Sequence, residues 1–105
     1  MQQAFMPKAE LDLELIGDYI AQDNPRRAKT FVRELREQCG KITQAPKAYR
    51  PRPELGKGLR SCPYGNYLVI FHEEPDLVRI VRVLHGAMDM QAQFEEQSPI
   101  MPAGK

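Results

Sequence analysis

The chain has 105 residues and carries 15 Lys+Arg against 14 Asp+Glu, a formal charge of +1. That length suits one small domain with a modest core, and the near-zero charge argues against a protein that grips nucleic acid by electrostatics alone. Cys39 and Cys62 match no zinc or redox spacing. With no signal peptide or membrane-spanning run to read, a reducing cytoplasm is the simplest compartment.

In chain order, residues 2–6 are weakly apolar and predict a short edge strand. Pro7 suits the first position of a helix. Ala9, Leu13, Ile16 and Ile20 recur at helical spacing as one apolar stripe, while Leu11 and Leu15 fall on the far side of the same helix. A second stripe means either a helix wedged between its hairpin mate and a sheet, or a protein interface. Asn24 as N-cap and Pro25 as first residue restart the chain in a second helix that runs to about residue 43. Its Ala28, Phe31, Val32, Leu35, Cys39 and Ile42 form a single stripe, so Cys39 reads as a core thiol. Arg33 and Glu37 stand one turn apart and can pair, and Gly40 predicts a frayed last turn. Two such helices make a hairpin whose apolar side needs a sheet.

Residues 45–58, APKAYRPRPELGKG, hold three prolines and two glycines and predict an irregular loop. Tyr49, Arg50, Arg52, Lys57 and the adjoining Arg60 make this the most basic stretch, suited to contacting phosphate or, more commonly, to a solvated connector. Residues 59–62 begin the sheet, with Cys62 as a strand residue, and residues 63–66 turn the chain. Residues 67–72 are apolar in both alternating sets, which predicts a central strand covered on both faces. Pro75 marks a tight turn over residues 73–76, so the return strand, residues 77–84, is antiparallel to it. Strict alternation puts Arg79 and Arg82 on opposite sides of that strand, each needing solvent or a carboxylate.

The strand delivers His85 and Gly86, with Asp89 close behind. Such a strand end is a common place for function. The chemistry alone favours a plainer reading: His85 bonded to nearby backbone, Gly86 supplying a positive φ, and Asp89 capping a short helix over residues 89–97 anchored by Phe94. Residues 1–97 then form the domain, and residues 98–105 read as a tail, mobile unless a partner holds it. The order is β-α-α-β-β-β with an optional final helix, an α+β fold in which a helical hairpin covers one face of a small antiparallel sheet. The other face is left as a candidate binding surface.

The pieces Asp12-Leu13, Ile16 and Asp18-Tyr19-Ile20 in the first helix, Asn24-Pro25 before the second, and Leu59-Arg60 stand in a distinctive order with Gly65-Asn66-Tyr67-Leu68-Val69 and Arg82-Val83-Leu84-His85-Gly86. Together they resemble the ParE branch of the RelE/ParE toxin family of bacterial toxin–antitoxin modules, over roughly residues 5 to 95. The resemblance sets two functions against each other. RelE-like relatives are ribosome-dependent messenger-RNA endonucleases, in which an Arg is expected at the second position of the central strand, another just after the strand-end Gly, and a Tyr or similar group on the final helix. Here those places hold Leu68, Met88 and Phe94, none of which donates a proton or binds an oxyanion. Only Arg60 and His85 remain for phosphate and proton transfer.

The ParE branch implies a toxin without an active site, cofactor or metal, which poisons DNA gyrase through protein contact. A ParD-like antitoxin, often a ribbon-helix-helix repressor, neutralises it by laying a C-terminal segment across it. The resemblance implies no membrane association, and no direct nucleic-acid binding without the antitoxin. Arg60, His85 and Asp89 are then the candidates for the target-facing surface. Leu11, Leu15 and Tyr19, with the exposed sheet edge, are the candidates for the antitoxin-binding one. Met88 stands where many ParE-like sequences carry a basic residue. A third reading is an interaction module with no toxicity.

Overall fold

The computed structural model describes residues 2–88 and 90–95. The chain runs β1 (Gln2–Phe5), α1 (Pro7–Ala21), α2 (Pro25–Ile42), one 3₁₀ turn (Pro46–Ala48), β2 (Arg50–Pro51), β3 (Leu59–Tyr64), β4 (Tyr67–Glu73), β5 (Leu77–His85) and α3 (Met90–Glu95). The expected tail, residues 98–105, lies outside the described residues. Pro7 opens α1, and Pro25 opens α2 behind Asn24, whose side chain accepts from the Arg27 backbone N–H at 3.0 Å. No fraying follows from Gly40. α2 continues through it to Ile42, and Thr43 closes the end by donating its hydroxyl to the Gly40 carbonyl. Arg33 and Glu37 make no ion pair; the helix instead ties Arg27 to its own Glu34 at 2.9 Å and Arg36 to Glu10 of α1 at 2.7 Å.

The sheet order is β1-β5-β4-β3-β2. Four strands, β2 to β5, pair antiparallel, and β1 joins β5 in parallel at the edge. That parallel pairing follows from the two helices that separate β1 from the other strands in the chain. The turn after β3 is tighter than residues 63–66. Pro63 still pairs across from Leu68, and Gly65-Asn66 alone join Tyr64 to Tyr67, with Gly65 at φ +58°.

Against the helices lies the main core: Ala9, Leu13 and Ile16 of α1, Phe31, Leu35, Cys39 and Ile42 of α2, and Cys62, Val69, Phe71, Val78, Ile80 and Val83 of the sheet. Burial pushes the Cys39 thiol up to about 12 and raises Cys62 as well, which is how structural rather than reactive cysteines behave. The opposite face of the sheet is not the open surface that the element order suggests. Leu55, from the loop between β2 and β3, packs with Ile70 and Leu84 in a second buried cluster, and Leu59, Leu68 and Phe94 of α3 press against it. The proline-rich loop is therefore anchored rather than a solvated connector. One 3₁₀ turn and a two-residue strand are built into it, and Tyr49 stands edge-on to Phe71 at 5.8 Å. This second cluster is what covers β4 on its other side.

β5 departs from strict alternation. Phe71 pairs with Ile80, but Ile70 pairs with Arg82, so Val81 is an extra residue, a β-bulge. The bulge reverses the parity of everything after it. Arg79 opposes His72 and Arg82 opposes Ile70, which puts both arginines on the same sheet face instead of on opposite ones. Each has its carboxylate: Arg79 reaches Glu74 through Nε at 2.7 Å and Nη2 at 3.0 Å, and Arg82 reaches Asp12.

Candidate functional site

β1 is four residues long and β5 is nine. Their pairing ends at Phe5 opposite Ile80, where Pro7 turns the chain into α1. β5 therefore outruns its edge partner by the five residues from Val81 to His85, and α1 passes along that uncovered edge. Asp12 fixes the crossing. Its carboxylate accepts from Arg82 Nε at 2.7 Å, from Arg82 Nη2 at 2.9 Å and from the Val83 backbone N–H at 2.9 Å. It thus does for one strand-edge donor what a neighbouring strand would do. The pair is nearly sealed, with side-chain exposures of 12% for Arg82 and 9% for Asp12.

Beyond this latch α1 and β5 diverge and leave a groove of about 240 Å³. Leu15, Ile16 and Tyr19 form the helix wall; Arg82, Val83, Leu84 and His85 form the strand wall; Tyr67 and Met88 close the end. Tyr67 and His85 stand edge to face at 5.2 Å. Burial raises the Tyr67 hydroxyl above its ordinary value, with a smaller push from the charge of Tyr19. Three of the lining residues stand open to solvent, Leu15 at 57%, Tyr19 at 69% and Met88 at 41%, and Leu11, one turn before Leu15 on α1 and outside the groove, is 51% exposed. Four large hydrophobic side chains left to solvent along one helix and its facing strand end make a surface suited to a partner's apolar segment.

The structure brings together one residue of the target-facing set and two of the antitoxin-binding set. His85, expected on the target-facing surface, shares the groove with Leu15 and Tyr19, expected to meet an antitoxin, and Leu11 continues the stripe along α1. His85 Nδ1 accepts from the Ala87 backbone N–H at 3.1 Å, which matches the plainer expectation for it. Gly86 does not supply a positive φ. Its N–H donates to the Asn66 carbonyl at 2.7 Å, and a Cβ there would stand 3.3 Å from that oxygen, so close approach is what selects glycine. Asp89 lies outside the described residues. Arg60 is elsewhere. It sits on β3 opposite Phe71 and donates to the Tyr49 carbonyl at 2.8 Å, so it ties the loop to the sheet. Sequence reasoning did not place Tyr67, Leu84 and Met88 in a common groove. Their meeting depends on where β1 stops, and no local pattern signals that.

The fold is thus a small α+β domain with a sealed ionic latch and, beside it, an open apolar groove at a strand end. The family model for the ParE toxin of type II toxin–antitoxin systems, parDE, matches residues 4–90. Toxin ParE1 of Caulobacter vibrioides is 33% identical over 88 residues, which cover 83% of this chain and 91% of that one. A solved structure described as the chromosomal ParDE TA system from P. aeruginosa shares the fold, with TM-score 0.68 and 24% identity over 81% of this chain and 95% of that one. The chain belongs to the ParE toxin family, the toxin side of a type II toxin–antitoxin system.

Proposed function

We propose that this ParE-type toxin works by protein contact alone. DNA gyrase is its target, met in the cytoplasm, and a ParD-like antitoxin neutralises it by seating an apolar segment on Leu11, Leu15 and Tyr19 in the groove between α1 and β5. The open groove, with Leu15, Tyr19 and Met88 exposed in it and Leu11 continuing the stripe along α1, carries this reading. Partner segments of this kind dock an apolar stripe into such a groove or add along a free strand edge, and both features are present side by side.

Two observations support a toxin without catalysis over an RNA-cutting one. Leu68 and Phe94 stand where the nuclease branch would have polar groups, and both are spent on packing against the second buried cluster. Arg50, which the register sets on the same face opposite Ser61, makes no ion pair among the described residues, but three other arginines at that face are engaged: Arg52 with Glu54, Arg79 with Glu74, Arg82 with Asp12. A phosphate arriving there would have to displace a carboxylate from each. His85 and Asp89 are the residues proposed to extend the surface toward the target. Arg60, engaged with the Tyr49 carbonyl, is the weakest member of that set.

The experiment is induction of the protein without its antitoxin. DNA damage and filamentous cells, with message pools intact, support the proposal. Rapid arrest of protein synthesis with cut messages overturns it, as does unimpaired growth.

A further inference from the structure

The outer side of the helical hairpin carries a division of charge that the fold does not need. Apart from Asp12, which is spent in the latch, α1 holds three acids against one lysine, and α2 holds six cations against two glutamates. Some of these groups are used within the chain, as in Arg36 with Glu10. Others are not. Glu14 and Asp18 line one rim of a shallow trough between the helices and Lys29 lines the other, with Arg33 one turn further along α2. Among the described residues none of these four makes an ion pair. The trough measures about 470 Å³, and its floor includes Gly17, Ala21, Ala28 and Val32. Gly17 leaves the floor bare, and a Cβ there would stand 3.4 Å from Val32, in ordinary contact.

We infer that this face is an interface between two copies of the chain. They would pack hairpin on hairpin about a two-fold axis parallel to the helices. That operation lays α1 of each copy over α2 of the other, running antiparallel, so Glu14 and Asp18 of one meet Lys29 and Arg33 of its partner twice over. A two-fold running across the helices would stack α1 on α1 and α2 on α2, acid on acid and base on base. The charge division thus selects one of the two arrangements. α1 is about 22 Å long at 1.5 Å per residue, and two adjacent helices are about 20 Å wide, so the flat area is on the order of 450 Å². That falls below the ~800 Å² per partner of a stable complex, and the dimer is correspondingly weak and salt-sensitive. The trough shares no lining residue with the groove between α1 and β5, so this inference stands apart from the antitoxin and gyrase reading.

Sedimentation equilibrium of the full chain from micromolar to near-millimolar concentration, in low and high salt, tests it. The expected result is a monomer–dimer equilibrium that salt shifts toward monomer. Glu14→Lys with Asp18→Lys, or Lys29→Glu with Arg33→Glu, each weakens self-association at least ~tenfold. An equimolar mixture of the two variants regains it, because each basic α1 then faces an acidic α2 and each acidic α1 a basic α2. All four positions are at the surface, and circular dichroism confirms that both variants are folded. A chain that stays monomeric throughout overturns the inference. So does a dimer indifferent to both variants, or a mixture no tighter than either variant alone. A monomer in which the same substitutions abolish antitoxin binding overturns it too, by giving the trough to a different occupant.

Discussion

α1 carries two apolar stripes, each centred on a leucine, that meet opposite fates. Ala9, Leu13 and Ile16 are buried against the sheet, while Leu11, Leu15 and Tyr19 are left largely in water. Between them stands Asp12, the buried polar residue that pins the helix to the bulge of β5. The inner stripe and the latch hold the fold. The outer stripe contributes little to folding and is free to serve a partner. Substitutions that separate stability from binding break this contrast or sharpen it.

The largest effect is expected at the latch. Asp12→Ala leaves the Arg82 guanidinium buried without its carboxylate and the Val83 N–H without an acceptor, at a cost of about 3–5 kcal/mol in urea unfolding. A loss under 1 kcal/mol would mean that water or another acceptor replaces it. Replacing both partners together, as Asp12→Leu with Arg82→Met, costs less than Asp12→Ala alone, because no buried charge is orphaned. Leu13→Ala on the inner stripe follows at about 2–4 kcal/mol, the range for emptying a fully buried leucine site. Asn24→Ala removes the side-chain cap of α2 and costs about 1 kcal/mol, seen as a lower thermal midpoint with an unchanged fold. Leu15→Ser on the outer stripe changes stability by less than ~0.5 kcal/mol. A larger loss there would place Leu15 in the core after all.

Much of the architecture was legible because it is written locally. Pro7, Asn24-Pro25 and Pro75 punctuate the chain, and the 3.6-residue stripe of α2 and the doubly apolar run of β4 state which faces are covered. Three features were not. The bulge at Val81 reversed the side of Arg82, and one inserted residue leaves no mark where Ile80, Val81, Val83 and Leu84 suit either face. The run of β4 asked for cover on both faces, but the element order supplied none for the second, because Leu55 is a single leucine in a loop of prolines and glycines; only the fold shows it landing on Ile70 and Leu84. The groove itself arises from a mismatch in length between β1 and β5, which are far apart in sequence. The outer stripe of α1 could be read, but its alternatives could not be separated until the sheet was seen to leave that side uncovered.

The central claim is that the outer stripe binds and does not fold. Isothermal titration of the chain with its cognate antitoxin is the sharpest test, using Leu15→Glu with Tyr19→Ala alongside the parent. The expected result is an unfolding midpoint close to the parent's and an affinity at least ~hundredfold weaker, since two apolar anchors are lost from the contact. Undiminished affinity in a folded variant would contradict it.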